Sequence, residues 1–207
     1  MKPLPHGAGT VLARNTAIPR ANRRGGSSER HRGRPRAARY GYSQGDTTAA
    51  GTLETVTDPP FVPADFSPPT ALVTDDFHLE PLGPQHNEAD RAAWTSSIEH
   101  IRATPGYPDG NWPPVDGMTL EANLSDLRRH ADDFAARSGF TFTVLDPVDG
   151  DVIGCVYLYP AAADDDDVTV QSWVRASRTE LDVPLADAVA AWLDAAWPWP
   201  RVDRAGR

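Results

Sequence analysis

Cysteine, lysine and long apolar runs are almost absent from this chain of 207 residues. Cys155 is the only cysteine, which excludes an internal disulfide and a cysteine-based metal centre and favours the reducing cytoplasm. Lys2 is the only lysine among 20 basic residues, so nearly all positive charge is arginine. No uninterrupted apolar run approaches the roughly 18 residues that indicate a membrane span, so we expect no membrane partner.

Positive charge is concentrated at the N-terminus. Residues 1–50 hold 10 Lys and Arg against 2 Asp and Glu, which leaves 10 basic and 27 acidic residues in the rest of the chain. The formal net charge of residues 51–207 is therefore −17, and that of the whole chain is −9. A strongly negative body repels phosphates, so nucleic acid is not expected as its partner.

The N-terminal 56 residues are rich in Gly, Arg, Ser and Pro and show no apolar periodicity. Such a segment cannot bury enough surface to offset its ordering entropy, so residues 1–56 are predicted to be a disordered tail. The tail has three open interpretations: non-specific nucleic-acid binding, a targeting segment, or upstream sequence without a dedicated role. Residues 57–71 contain five prolines and are predicted to be an extended linker to a folded domain over 72–207.

Apolar spacing after residue 76 alternates between the strand period and the helix period. FHLEPL (77–82) alternates as a strand, and residues 86–103 have helical spacing. Thr119 can cap a second helix, and Gly139 is expected to end this helix in a left-handed conformation. Three strands at 140–147, 152–160 and 168–176 are followed by a helix at 184–196 and a short strand. The predicted fold is α/β (α+β) with a mixed sheet, ordered strand, helix, helix, three-strand meander, helix, short strand.

Three stretches of this pattern resemble the GNAT acetyltransferase superfamily. FHLEPLGPQHNEADRAAW resembles its opening strand and first helix, GFTFTVLDPVDGDVIGCVYLYP its central hairpin, and VTVQSWVRASRTELDVPLADAVAAWL its cofactor-binding strand, loop and helix. The resemblance covers residues 77–207 and implies acyl transfer from acetyl-CoA, or another acyl-CoA, to an amine of a small molecule or peptide. The rival interpretation is a non-catalytic module of this fold that has lost CoA and serves binding or dimerisation.

The resemblance also implies where the site lies. Acceptor contacts are implied between the first two helices, at Tyr107 and Trp112, although Trp112 could equally be a loop aromatic that covers the core. The resemblance identifies no general base, and Glu99 is our own candidate for it. Backbone donors of the strand at 172–176 are implied to stabilise the thioester oxygen. Cofactor contacts are implied along that strand and the loop after it, at Trp173, Val174, Arg175, Arg178 and Thr179.

The loop departs from the superfamily pattern Q/R-x-x-G-x-G/A. Glu180, Asp182 and Pro184 stand where small residues let a diphosphate approach the backbone. If the two carboxylates face the helix start, a repulsion of about 4 kcal/mol per unit charge at 4 Å exceeds the roughly 0.3–1 kcal/mol that a helix terminus offers an anion. If they face solvent, screening over a Debye length of roughly 8 Å removes most of this repulsion. A third alternative is that Asp182 caps the helix and takes the N–H groups that a phosphate would use.

Three further expectations concern association, the cysteine and metals. The superfamily normally adds a helix and two strands after the last predicted helix, and because an open sheet edge is a liability in a monomer, a homodimer is expected. Cys155 is expected to pack in the core, since nothing near it in sequence lowers a thiol pKa. The run Asp164–Asp167 is predicted to be a solvated turn, because cation loops need spaced ligands, and no metal site is expected.

Overall fold

The computed structural model describes residues 60–107, 112–162 and 165–206. The predicted tail, the start of the predicted linker and four residues before Trp112 lie outside these ranges. Two 3₁₀ turns, Pro84–His86 and Ala176–Leu181, precede α1 and α4. The regular elements are β1 (Leu72–Val73), β2 (His78–Pro81), α1 (Asn87–Thr95), α2 (Ile98–Ala103), α3 (Leu120–Ala136), β3 (Phe140–Leu145), β4 (Val152–Pro160), β5 (Val168–Val174), α4 (Asp182–Ala196) and β6 (Val202–Asp203).

The six strands form one sheet in the order β1-β2-β3-β4-β5-β6. Every neighbouring pair is antiparallel except β5 and β6, which run parallel. The predicted mixed α/β fold and its element order are therefore confirmed, with β1 as an additional strand of two residues. β4 has the bounds that its apolar run predicts, and β3 and β5 each end about two residues earlier than predicted.

Successive strand residues face opposite sides of the sheet and so build two cores. One core lies against α4, and we call this side of the sheet the α4 face; its members include Phe142, Val156, Leu158, Leu185 and Val189. The other core lies against α1, α2 and α3, and we call this side the α1 face; its members include Trp94, Ile101, Leu127, Cys155 and Trp173. Cys155 is fully buried, as its apolar neighbours in sequence predict.

The helices differ from the predicted ones at two places. The single helix predicted over 86–103 is broken at Ser96 and Ser97, where the buried Ser97 hydroxyl accepts a hydrogen bond from the Ala176 N–H at 3.0 Å. Thr119 caps α3 as predicted, by accepting from the Ala122 N–H. The left-handed residue after α3 is Arg137, with φ 61°, and the prediction that Gly139 takes this place is wrong.

Residues 61–66 cover one end of the α4-face core, although they lie in the stretch predicted as linker. Phe61 stacks on Trp199 with ring centroids 4.6 Å apart, and its carbonyl accepts a hydrogen bond from the Trp199 indole N–H. Val62 is only 3% exposed. Phe66 packs against Trp197. The guanidinium of Arg137 donates to the carbonyls of residues 63, 64 and 66 at 2.6–3.1 Å and fastens this segment to the end of α3.

Replacing Arg137 with alanine should therefore loosen residues 61–66. Because hydrogen bonds from a charged donor contribute roughly 1.5–3 kcal/mol, and these are partly exposed, we expect the free energy of unfolding to fall by about 2 kcal/mol. Urea denaturation measures this loss, and limited proteolysis should show faster cleavage near residue 64.

Arg137→Gly is the matched variant, because it removes the same hydrogen bonds but tolerates the left-handed backbone. It should lose about 1 kcal/mol less than the alanine variant. Unchanged proteolysis in both variants would contradict the role of the guanidinium.

Candidate active site

Strand β5 is paired very differently on its two sides. It pairs with β4 along its whole length, from Val168 to Val174. In the described part of the chain, its pairing with β6 comprises only Val168 and Thr169. Beyond Thr169 the two strands separate, so the later half of β5 is a sheet edge on the side away from β4.

The backbone of this edge has a defined direction. The Arg175 N–H donates to the Ile153 carbonyl on the β4 side at 2.8 Å, and the Val168 N–H points the other way, to the Arg201 carbonyl. Because backbone groups alternate along a strand, the N–H group of Val174 points away from β4. The strand therefore directs this amide toward the side that β6 leaves.

A cleft of about 210 Å³ lies in this space, between β5 and α4. Its floor is mostly apolar, and two alanines of α4, Ala186 and Ala190, keep it open because they carry small side chains. Its charged members, Asp187 and Arg204, are both exposed and lie at the rim. The lining residues are Val170, Ser172, Ala186, Asp187, Val189, Ala190, Leu193 and Arg204.

An aromatic cluster lies across the same strand, on the α1 face. Trp112 is its centre, with ring centroids 5.6 Å from Tyr107, 6.0 Å from Trp173 and 6.2 Å from both Trp94 and Tyr157. The structure thus brings together Tyr107, Trp112 and Trp173, which the resemblance implies as acceptor and cofactor contacts. The cluster is part of the α1-face core, in which Trp94 and Trp173 are fully buried.

The loop after β5 is filled by its own side chains. The Arg178 guanidinium donates to Asp146 Oδ2 at 2.5 Å and to Glu180 Oε1 at 3.2 Å. This pairing holds the pKa of the Asp146 carboxyl below its usual value. Glu180 has a side chain 64% exposed, so it faces solvent rather than the start of α4.

The start of α4 offers few amides to an anion. The N-cap is Leu181, and Asp182 is the first helical residue, so the prediction that Asp182 caps the helix is wrong. The Asp182 N–H is bonded to the Thr179 carbonyl, and Pro184 has no N–H. The residues present therefore fit an uncharged arm in the cleft, but they do not form a backbone cradle for a diphosphate.

The remaining implied site residues lie in varied surroundings. Val174 is buried in the α4-face core, and Thr179 is exposed on the 3₁₀ turn. Arg175 donates to the Val152 carbonyl, and within the described residues its buried Nε makes no hydrogen bond. Glu99 is exposed in the first turn of α2. Nothing tests the roles implied for these residues, and they stay predictions.

Asp90 is a buried carboxyl that the sequence pattern does not single out. It is 4% exposed on α1, and Asn123 of α3 donates to its Oδ2 at 3.0 Å. Asn123 also accepts from the Trp94 indole N–H at 2.9 Å, which joins α1 to α3. Burial raises the pKa of Asp90 to about 6, against the hydrogen bond from Asn123, which lowers it. Among the described residues, no group of three or more His, Cys, Asp or Glu side chains could hold a metal ion.

No protein-family model matches the chain, and no curated protein matches it in sequence. In the region that the structure describes, no helix has both the length and the apolar character that a membrane crossing requires.

Solved structures of acetyltransferases match the fold at low identity. A ribosomal-protein-S5-alanine acetyltransferase from Vibrio fischeri is 11% identical, with 59% of this chain and 66% of that chain covered and a TM-score of 0.45. A GCN5-related N-acetyltransferase from Brucella melitensis is 17% identical, with 63% and 57% covered and a TM-score of 0.46. The microcin C7 self-immunity acetyltransferase MccE, in complex with acetyl-CoA and AMP, is 13% identical, with 62% and 69% covered and a TM-score of 0.44.

The chain thus spans between 57% and 69% of the length of these structures. They are acetyltransferases, the class that the sequence resembles. The likeness is one of fold, and chemistry has to be argued from the residues of this chain.

The raised pKa of Asp90 predicts a pH-dependent cost to stability. The folded state binds the proton of the Asp90 carboxyl more tightly than the unfolded state, so protonation of Asp90 stabilises the fold. This contribution to the free energy of unfolding is fully present below pH 3.8 and is lost as the pH rises through about 6. The difference corresponds to roughly 3 kcal/mol. Asp90→Asn should therefore raise the free energy of unfolding by up to about this amount at pH 7.5 and have little effect near pH 4, as measured by urea denaturation.

Asp132→Asn, an exposed change on α3, is the control and should show no such trend. An Asp90→Asn effect of equal size at both pH values would contradict the assignment.

Proposed function

We propose that this chain transfers an acyl group from a thioester to an amine of a small molecule or peptide. The observation that carries the proposal is the cleft between β5 and α4, which opens where β6 leaves β5. The aromatic cluster on the other side of the same strand offers a place for the acceptor. The two substrates would then meet at one strand.

The reaction needs little covalent chemistry from the protein. The amine nitrogen attacks the thioester carbonyl carbon, the C–N bond forms and the C–S bond breaks, and the sulfur leaves as a thiol with the proton that the amine loses. An N–H group of β5 on the side away from β4 would stabilise the developing charge on the carbonyl oxygen. The strand would therefore orient the donor.

Asp90 is our candidate for accepting the proton, in preference to the exposed Glu99. Burial is the main cause that raises the pKa of Tyr157 and Cys155, and the charge of Asp90 adds to the shift. A buried carboxyl with a pKa near 6 is suited to accept a proton at neutral pH.

A matched pair of variants in α4 tests the proposal. Ala190→Trp should fill the cleft and lower acyl transfer at least tenfold, whereas Ala191→Trp, at the next and exposed position of the same helix, should leave it unchanged. Full-length protein is incubated with acetyl-pantetheine or acetyl-CoA and a panel of primary amines, and the released thiol is measured. The buried Cys155 adds no background to this assay.

Two results would contradict acyl transfer at this cleft. The first is an absence of thiol release by the unaltered protein with both donors and every amine, which would favour the non-catalytic module. The second is equal turnover by the two tryptophan variants.

A further inference from the structure

Arg178 is the cation best placed to meet an anion after β5, and its guanidinium is already engaged by two carboxylates. Asp146 is its more sheltered partner, with a side chain 12% exposed, and Glu180 is its solvent-facing partner. Arg178 itself departs from helical geometry inside the 3₁₀ turn, with φ −133° and ψ 32°. An incoming phosphate would have to displace at least one of these carboxylates to reach the guanidinium.

The charges around this loop oppose a phosphate as well. Asp146, Glu180 and Asp182 place three carboxylates near the start of α4, against the two guanidinium groups of Arg175 and Arg178. The residues after position 50 have a balance of −17, so the surrounding field does not offset this deficit. The backbone adds little, because the Asp182 N–H is bonded within the turn and Pro184 has none.

The cleft has the opposite character. Apart from its charged rim and the side chain of Ser172, the cleft is lined by the apolar side chains of Val170, Val189, Leu193 and two alanines of α4. An uncharged arm with amide bonds, such as pantetheine, matches this lining. The ligand-binding features are thus present for the arm of a donor and missing for its nucleotide.

We propose, on the basis of the function proposed above, that this site recognises the pantetheine thioester arm of the acyl donor and gains no affinity from a nucleotide diphosphate. The substrate class is a pantetheine thioester. Glu180 is the residue that withholds Arg178 from the phosphates. The proposal predicts that a donor without a nucleotide binds at least as tightly as acetyl-CoA.

Isothermal titration of the full-length protein with acetyl-pantetheine and acetyl-CoA tests this directly. The unaltered protein should bind the two with dissociation constants within about threefold of each other. Glu180→Gln removes one carboxylate from Arg178 and should tighten acetyl-CoA binding roughly tenfold while leaving acetyl-pantetheine binding unchanged. Glu121→Gln makes the same change in the first turn of α3, where the side chain is exposed, and should alter neither affinity.

The outcomes separate this inference from the proposed function. If acetyl-CoA binds the unaltered protein tenfold or more tightly than acetyl-pantetheine, the nucleotide is recognised and the inference is wrong, while acyl transfer stands. If Glu180→Gln changes both affinities equally, Glu180 does not act on the phosphates and the inference is again wrong. If neither donor binds at millimolar concentration, the proposed function fails and the inference fails with it.

Discussion

Strand β5 is held by β4 over seven residues and, in the described residues, by β6 over only two, and the geometry of the candidate site follows from this asymmetry. Full pairing with β4 fixes the position and twist of β5. Early loss of β6 leaves the edge of β5 after Thr169 without strand pairing to β6 in the described residues. Gly154 lets β5 lie this close to β4, because a Cβ there would come within 2.3 Å of the Trp173 carbonyl oxygen. A rigid strand with one open edge is a suitable platform for an extended ligand.

The buried carboxyl of Asp90 on the α1 face lowers the stability of the fold at neutral pH. Asp90 is buried with a pKa raised to about 6, which makes its charged form unfavourable at neutral pH. An apolar residue would pack at such a position without this cost, so a functional reason for the carboxyl is worth testing. The hydrogen bonds through Asn123 to Trp94 also give Asp90 a structural role, because they join α1 to α3. The pH dependence of the transfer rate distinguishes the two roles, since a purely structural carboxyl would affect stability alone.

Local sequence patterns predicted the elements of this fold well where the determinants are themselves local. The continuous apolar run of β4 gave its bounds, and the hydroxyl of Thr119 marked the start of α3. At the break between α1 and α2, the Ser97 hydroxyl accepts a hydrogen bond from the N–H of Ala176, 79 positions away, and no local pattern could reveal this contact. The packing of Phe61 on Trp199 spans a still greater separation.

The sequence predicted the residues of the candidate site less completely than it predicted the elements of the fold. The resemblance drew attention to Tyr107, Trp112 and Trp173, which the structure places together, because aromatic residues near a strand end are visible in sequence. Asp90 was missed, since an acidic residue in the first turn of a helix ordinarily lies in solvent and favours the helix dipole. Its burial results from α3 packing over α1, which only the assembled structure shows.

In the loop after β5, the sequence shows which acidic residues are present and the structure shows how they are oriented. The sequence left open whether the carboxylates face the helix start or solvent and whether Asp182 caps the helix, and the structure shows Glu180 facing solvent. Glu180 turns outward to Arg178, and Asp182 begins the helix under the cap residue Leu181. Ala186 and Ala190 leave the cleft beside this loop open, because larger side chains there would fill it. An open cleft beside a loop closed by its own ion pairs is better explained by a donor whose arm is recognised and whose phosphates are not.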